Sequence, residues 1–61
     1  AVDDYSHAIR LEKNVPLFYI NRSSAYFKQN NKKMGCLDAQ KACDLGKCDV
    51  LKEAKGKGFC D

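Results

Sequence analysis

The sequence repeats itself at an interval of 34 residues, and this repetition restricts the possible folds more than any other feature of the chain. When the chain is shifted by that interval, small residues meet small residues and apolar residues meet apolar residues. Four of the aligned pairs are identical: Asp4 with Asp38, Ala8 with Ala42, Leu11 with Leu45 and Lys13 with Lys47. A period of this length is typical of stacked supersecondary units, each of which buries its apolar face against the next.

Apolar residues recur at the three-to-four-residue spacing of a helix face, and no segment shows the strict alternation of a strand. Pro16 suits the first turn of a helix, where its missing N–H would be unpaired in any case. Asn30 and Asn31 interrupt the pattern as a polar turn, and Gly46 predicts the end of a third helix. The chain is therefore predicted to be all-α, with about four helices near residues 1–11, 17–29, 34–45 and 48–55.

Length and charge exclude several classes of protein. The chain has 61 residues, which allows one domain with little stability to spare. Its 11 basic and 8 acidic residues give a net charge of +3, too mild to indicate nucleic-acid binding. No apolar run approaches the roughly 20 residues of a membrane span, so we expect no membrane partner.

One segment resembles the tetratricopeptide repeat signature closely. The matching residues are Tyr19-Ile20-Asn21-Arg22-Ser23-Ser24-Ala25-Tyr26, followed by Gly35, Asp38, Ala39, Ala42 and Leu45. The resemblance implies an antiparallel helix-turn-helix α-solenoid fragment of one and a half repeats plus a capping helix. Residues 1–13 would be the second helix of a preceding repeat, 16–47 a complete repeat, 48–57 the capping helix and 58–61 a tail. Lys13 and Lys47 depart from the family, because they replace the usual proline at the repeat junction.

The resemblance also implies a peptide-binding groove, which the first helix of each such repeat lines. The candidate groove residues are Tyr19, Asn21, Arg22, Tyr26 and Lys28. Residues 15–33 carry four basic side chains and no acidic one, a charge of +4, which favours an extended or acidic peptide. The alternative is that these lysines only solubilise a turn, as such runs commonly do.

Helix geometry limits how the four cysteines can pair. Cys36 and Cys43 lie seven residues apart, about 10.5 Å along a helix, which is beyond the reach of a disulfide. Cys36 and Cys48 would be about 18 Å apart. The remaining pairing joins Cys43 to Cys48 and Cys36 to Cys60. The alternative is four reduced thiols used as small apolar residues.

The cysteine region also resembles Sel1-like repeats, in the segment Lys41-Ala42-Cys43-Asp44-Leu45-Gly46. The spacing of the cysteines contains no C-x-x-C pair, so neither a zinc site nor a thioredoxin-type centre is indicated, and we expect no metal or cofactor. Disulfides would favour an extracytoplasmic location and reduced thiols a cytoplasmic one.

Residues suited to catalysis are few. His7, the only histidine, falls on the polar side of the first helix. The acidic pairs Asp3 with Asp4 and Asp38 with Asp44 are predicted to lie on solvated helix faces, so no enzyme is expected.

Two hypotheses about function follow from the sequence. The first is a non-catalytic interaction module that binds a protein or peptide. The second is a thiol-based redox or metal-binding protein that uses its four cysteines. Because the first helix lacks the preceding helix that the resemblance implies, part of its apolar stripe should be uncovered, and a homodimer through this helix is predicted.

Overall fold

A computed structural model describes residues 2–60, which form four α-helices with no strand among them. The helices are α1 (Val2–Leu11), α2 (Pro16–Lys28), α3 (Lys32–Asp44) and α4 (Asp49–Gly56). Connections of three or four residues join them. The predicted all-α class and the number of helices are therefore confirmed. Ala1, assigned to the apolar stripe of the first helix, and Asp61, at the end of the predicted tail, lie outside the described residues.

Local sequence explains where the helices begin and end. Pro16 opens α2, and the Asn31 side chain caps α3 by accepting a hydrogen bond from the backbone N–H of Met34. The three later helices end in the same motif, in which a residue with positive φ follows the last turn and two backbone N–H groups bond back into it. The residues with positive φ are Asn30, Gly46 and Gly58.

Each helix packs against the next one in the chain, and the contact between α2 and α3 is the most extensive. Small residues of these two helices are completely buried, namely Ser23 on α2 and Ala39 and Ala42 on α3. Tyr19 is the large buried residue of α2, with an exposed fraction of 7%. The result is a flattened molecule with extents of 31 × 25 × 12 Å. Within the described chain, no helix has the length and apolar character needed to cross a membrane.

Candidate functional site

Arg22 joins three helices at the centre of the molecule. Its guanidinium group donates two hydrogen bonds of 2.7 Å to the carboxylate of Asp38 on α3 and a third, of 3.2 Å, to the hydroxyl of Ser6 on α1. The guanidinium carbon lies 5.9 Å from the ring centre of Tyr19 and 5.8 Å from that of Tyr26. The hydrogen bond to Asp38 raises the pKa of Arg22 above its usual value, so the side chain stays charged.

This arrangement corrects two predictions. Asp38 is not on a solvated face: its exposed fraction is 4%, and its carboxylate is paired. Arg22 was assigned to the groove, but its hydrogen-bonding capacity is directed inward, to α1 and α3. Two sequence signals pointed to a structural role for this acid: the identity of Asp4 and Asp38 in the 34-residue alignment, and the place of Asp38 among the residues that match the tetratricopeptide signature.

Tyr19 is also a structural residue rather than a groove residue. Its ring is buried, and its hydroxyl donates a hydrogen bond of 2.9 Å to the carbonyl oxygen of Lys13, just beyond the end of α1. The side chain therefore fixes the α1–α2 connection and is not available to a ligand. Its assignment to the groove is wrong because the aromatic position of the motif points into the α1–α2–α3 core.

A cleft of about 240 Å³ lies between α2 and α4. We call it the α2–α4 cleft; the residues that line it are Ser23, Ser24, Phe27, Lys28, Val50, Glu53, Ala54, Lys57 and Phe59. Its lining is apolar at Phe27, Val50 and Phe59. The exposed Lys28 stands on the α2 side, and an exposed ion pair of 3.2 Å between Lys57 and Glu53 stands on the α4 side. Lys28 forms no ion pair with any other residue in the described part of the chain.

The predicted groove residues are distributed differently around α2. Lys28 lines the cleft, and its role in binding a peptide stays a prediction. Asn21 is half-buried and lies three residues before Ser24, so it continues the same side of α2 beyond the cleft. Tyr26 packs near Arg22 and does not line the cleft.

Phe59 forms one wall of the cleft, a role that the sequence did not predict. Its backbone N–H bonds to the carbonyl oxygen of Ala54 in the motif that ends α4, and its ring centre lies 5.1 Å from that of Phe27. The available signal was an aromatic residue directly after Gly58, because this helix-ending motif often places an apolar residue there.

Gly35 allows the Phe27 ring to lie directly against α3. A Cβ atom added at this glycine would come within 2.5–2.9 Å of three Phe27 ring atoms. Gly35 is one of the residues that match the tetratricopeptide signature, and the close approach of Phe27 explains why this chain has no side chain there.

The cysteines form the two predicted disulfides. Cys36 in the first turns of α3 is joined to Cys60 in the tail, with 5.7 Å between their Cα atoms. Cys43 near the end of α3 is joined to Cys48, the residue that precedes α4. The alternative prediction, four reduced thiols, is wrong, since no free cysteine occurs among residues 2–60. The first bond holds the segment that carries Phe59 against α3.

The cysteines are too far apart, as two separate pairs, to hold one metal ion together. The four cysteines lie in two pairs, one near each end of α3. Over residues 2–60, no group of three or more His, Cys, Asp or Glu side chains is placed to hold a metal ion. His7 is exposed on α1.

Comparison with known proteins gives two partial relatives. No known protein family profile matches the chain. Over 45 residues, or 74% of its length, the chain is 38% identical to dynein axonemal assembly factor 4 of Rattus norvegicus and 42% identical to the protein of the same name from Mus musculus. The chain spans only 11% of the length of each of these relatives. No solved structure matches it.

Proposed function

We propose that the chain is a non-catalytic interaction module of the tetratricopeptide type, which binds an extended, acidic peptide segment of a partner protein in the α2–α4 cleft. The observation that carries the proposal is the cleft itself, which combines an apolar floor with exposed lysines on both sides. Its volume of about 240 Å³ is below the 300–1,000 Å³ typical of small-molecule pockets. It therefore suits a few side chains of a peptide better than a whole small ligand.

Charge selects the kind of peptide. The cleft contains Lys28 and Lys57 against Glu53, so its net charge is +1. Lys28 has no ion-pair partner among residues 2–60, so it can bind a carboxylate. The Lys57–Glu53 pair is exposed, so it is only weakly stabilising and can exchange for a ligand. An acidic peptide with apolar side chains would place those side chains on Phe27 and Phe59 and its carboxylates beside the lysines.

The architecture and the relatives support this proposal. Helices packed in chain order are the arrangement that a tetratricopeptide unit requires, and the 34-residue spacing agrees with that family. Both relatives are named as axonemal dynein assembly factors, and we propose that this chain contributes protein–protein contacts to a role of that kind.

The test compares two short peptides by fluorescence anisotropy. One is an acetylated octapeptide that alternates glutamate and leucine, and the other replaces each glutamate with lysine. The acidic peptide should bind the 61-residue chain more tightly, and Lys28→Glu should weaken that binding by about threefold to tenfold. Lys41→Glu is the matched control, because Lys41 is exposed on α3 and does not line the cleft. Equal binding of the two peptides, or an equal loss in both variants, would contradict the proposal.

A thiol-based redox function is the second candidate, and one observation favours it. The Cys36–Cys60 bond fixes the segment that carries Phe59, one of the residues that line the cleft. A dithiol reductant would convert this bond to two thiols while it is itself oxidised to a disulfide, and the cleft would lose its fixed wall. If redox sensing operates through the cleft, reduction should weaken binding of the acidic octapeptide, whereas equal affinity in both states would exclude it.

A further inference from the structure

Five of the nine lysines lie at one end of the helix bundle. The short turn after α2 puts the end of that helix beside the start of α3. The contact between Phe27 and Phe59 brings the segment that follows α4 to the same place. We call these five residues, all of them exposed, the lysine end: Lys28, Lys32, Lys33, Lys55 and Lys57.

Phe59 lies at the centre of the lysine end. The ammonium nitrogen of Lys32 lies over its ring, 5.3 Å from the ring centre. The same ring lines the α2–α4 cleft, which contains two of the lysines, and a second cleft between α3 and α4, which contains Lys33 and Lys55. The five positive charges therefore form one group around a single aromatic side chain.

Acidic residues offset little of this charge. Glu53 is the one acidic residue that lines either cleft, and it pairs with Lys57. Over residues 2–60, the other four lysines of the group form no ion pair, and the acids that open α1 pair with none of them. A local excess of one charge creates a potential that attracts a partner of the opposite charge.

We infer that the lysine end binds a run of consecutive acidic residues, continuous with the partner segment that occupies the α2–α4 cleft. This inference rests on the proposed function and extends its ligand from a short acidic peptide to an apolar part joined to an acidic run. The apolar part would lie on Phe27 and Val50. The acidic run would pass Phe59 and place its carboxylates on Lys33 and Lys55, outside the α2–α4 cleft.

An acidic polypeptide suits this surface better than a nucleic acid does. Single-stranded nucleic acids are held largely by bases that stack on exposed aromatic rings. The Phe59 ring is half-buried, with the Lys32 ammonium over it and the Phe27 ring centre 5.1 Å away. Carboxylates require only the charge of the surrounding lysines, which remains exposed.

The test lengthens the acidic octapeptide by four glutamates, at its N-terminus in one peptide and at its C-terminus in another. Peptides with four serines at the same places are the neutral controls. Anisotropy at low salt measures their affinity for the 61-residue chain. One glutamate extension should bind about tenfold more tightly than its serine control, because it adds several exposed ion pairs. Added salt should reduce this gain.

Two double variants locate the gain. Lys33→Glu with Lys55→Glu should remove it and leave the affinity for the serine-extended peptides within about twofold of the wild type. Lys41→Glu with Lys47→Glu is the matched control, because it changes the net charge equally at exposed lysines that line neither cleft. This variant should keep the gain.

The outcomes separate this inference from the proposed function. If the serine-extended peptides bind but neither glutamate extension adds affinity, the lysine end is not part of the site and the proposed function stands. If only a glutamate-extended peptide binds, and its binding depends on Lys33 and Lys55, the lysine end is supported and the role of the cleft is contradicted. Equal losses in the two double variants would overturn the inference, as would equally tight binding of a single-stranded oligonucleotide of the same charge.

Discussion

Arg22 and Asp38 show how one residue pair can organise a molecule of this size. The pair links α2 to α3, and the same guanidinium group reaches Ser6 on α1. The carboxylate of Asp38 is nearly inaccessible and the guanidinium group is partly exposed, with side-chain exposures of 5% and 19%. The consequence of removing either charge is therefore larger than for a surface ion pair.

Asp38→Asn should lower the free energy of unfolding by about 2–4 kcal/mol, because it leaves the guanidinium group, whose side-chain exposure is only 19%, without its counter-charge. The matched control is Asp44→Asn on the same helix, where the exposed acid accepts one hydrogen bond from Gln40. That change should stay within about 0.5 kcal/mol of the wild type. Urea unfolding of the two variants measures both. Equal small effects would show that the Arg22 pair does not organise the core.

Gly35→Ala should destabilise the chain by about 1–3 kcal/mol, although alanine is the better helix former. The added Cβ would lie 2.5–2.9 Å from the ring of Phe27, which is held by Phe59 behind it. The control is Gly56→Ala in α4, where a Cβ would meet nothing within 4 Å, and it should be neutral or stabilising by up to about 1 kcal/mol. Thermal unfolding of both variants tests this, and a stabilised Gly35→Ala variant would contradict the described packing of Phe27.

At the scale of the elements, α4 is the helix that depends most on covalent bonds. It has only eight residues, which is too short for a helix to be stable alone. It packs against α3, and a disulfide ties each of its flanking segments to that helix. We expect the two bonds to contribute unequally.

In the chain-entropy model, the bond that closes the longer loop stabilises more. Cys36–Cys60 spans 24 residues and Cys43–Cys48 spans 5, so their expected contributions are about 3.4 and about 2 kcal/mol. Replacing each pair by serines and measuring denaturant unfolding should reproduce this order. Hydrogen exchange should show that α4 loses protection before α2 and α3 in either variant. The reverse order of stabilities, or unchanged protection of α4, would contradict this account.

At the scale of the whole molecule, helices and disulfides were predictable from the sequence, whereas the central ion pair and the cleft were not. Pro16, Gly46 and the asparagine turn act locally, so their effects could be predicted from neighbouring residues. The disulfide pairing followed because helix rise excludes the alternatives. The burial of Asp38 and Tyr19 depends on how α2 sits against α1 and α3, which no local pattern specifies. Phe59 was missed for the same reason, since its position depends on the Cys36–Cys60 bond and the Phe27 ring.

The state of association follows from α1, none of whose described residues is fully buried. The 61-residue chain should self-associate through α1 at tens of micromolar, because Leu11 has an exposed fraction of 73% and the apolar residues Tyr5 and Ile9 are only half-buried. Sedimentation equilibrium measures this, with Ile9→Asp as the variant expected to be monomeric. A mass of 6.9 kDa at all concentrations would mean that α1 does not mediate a homodimer.

The central claim is that the α2–α4 cleft binds an acidic, extended peptide, and amide shift mapping tests it most directly. The acidic octapeptide is titrated into the isotope-labelled, oxidised chain while the backbone amides are followed. The account predicts shifts centred on Phe27, Lys28, Val50, Ala54 and Phe59, the residues that line both walls of the cleft. Shifts confined to α1 or to the outer side of α3, or no shifts up to millimolar peptide, would contradict it.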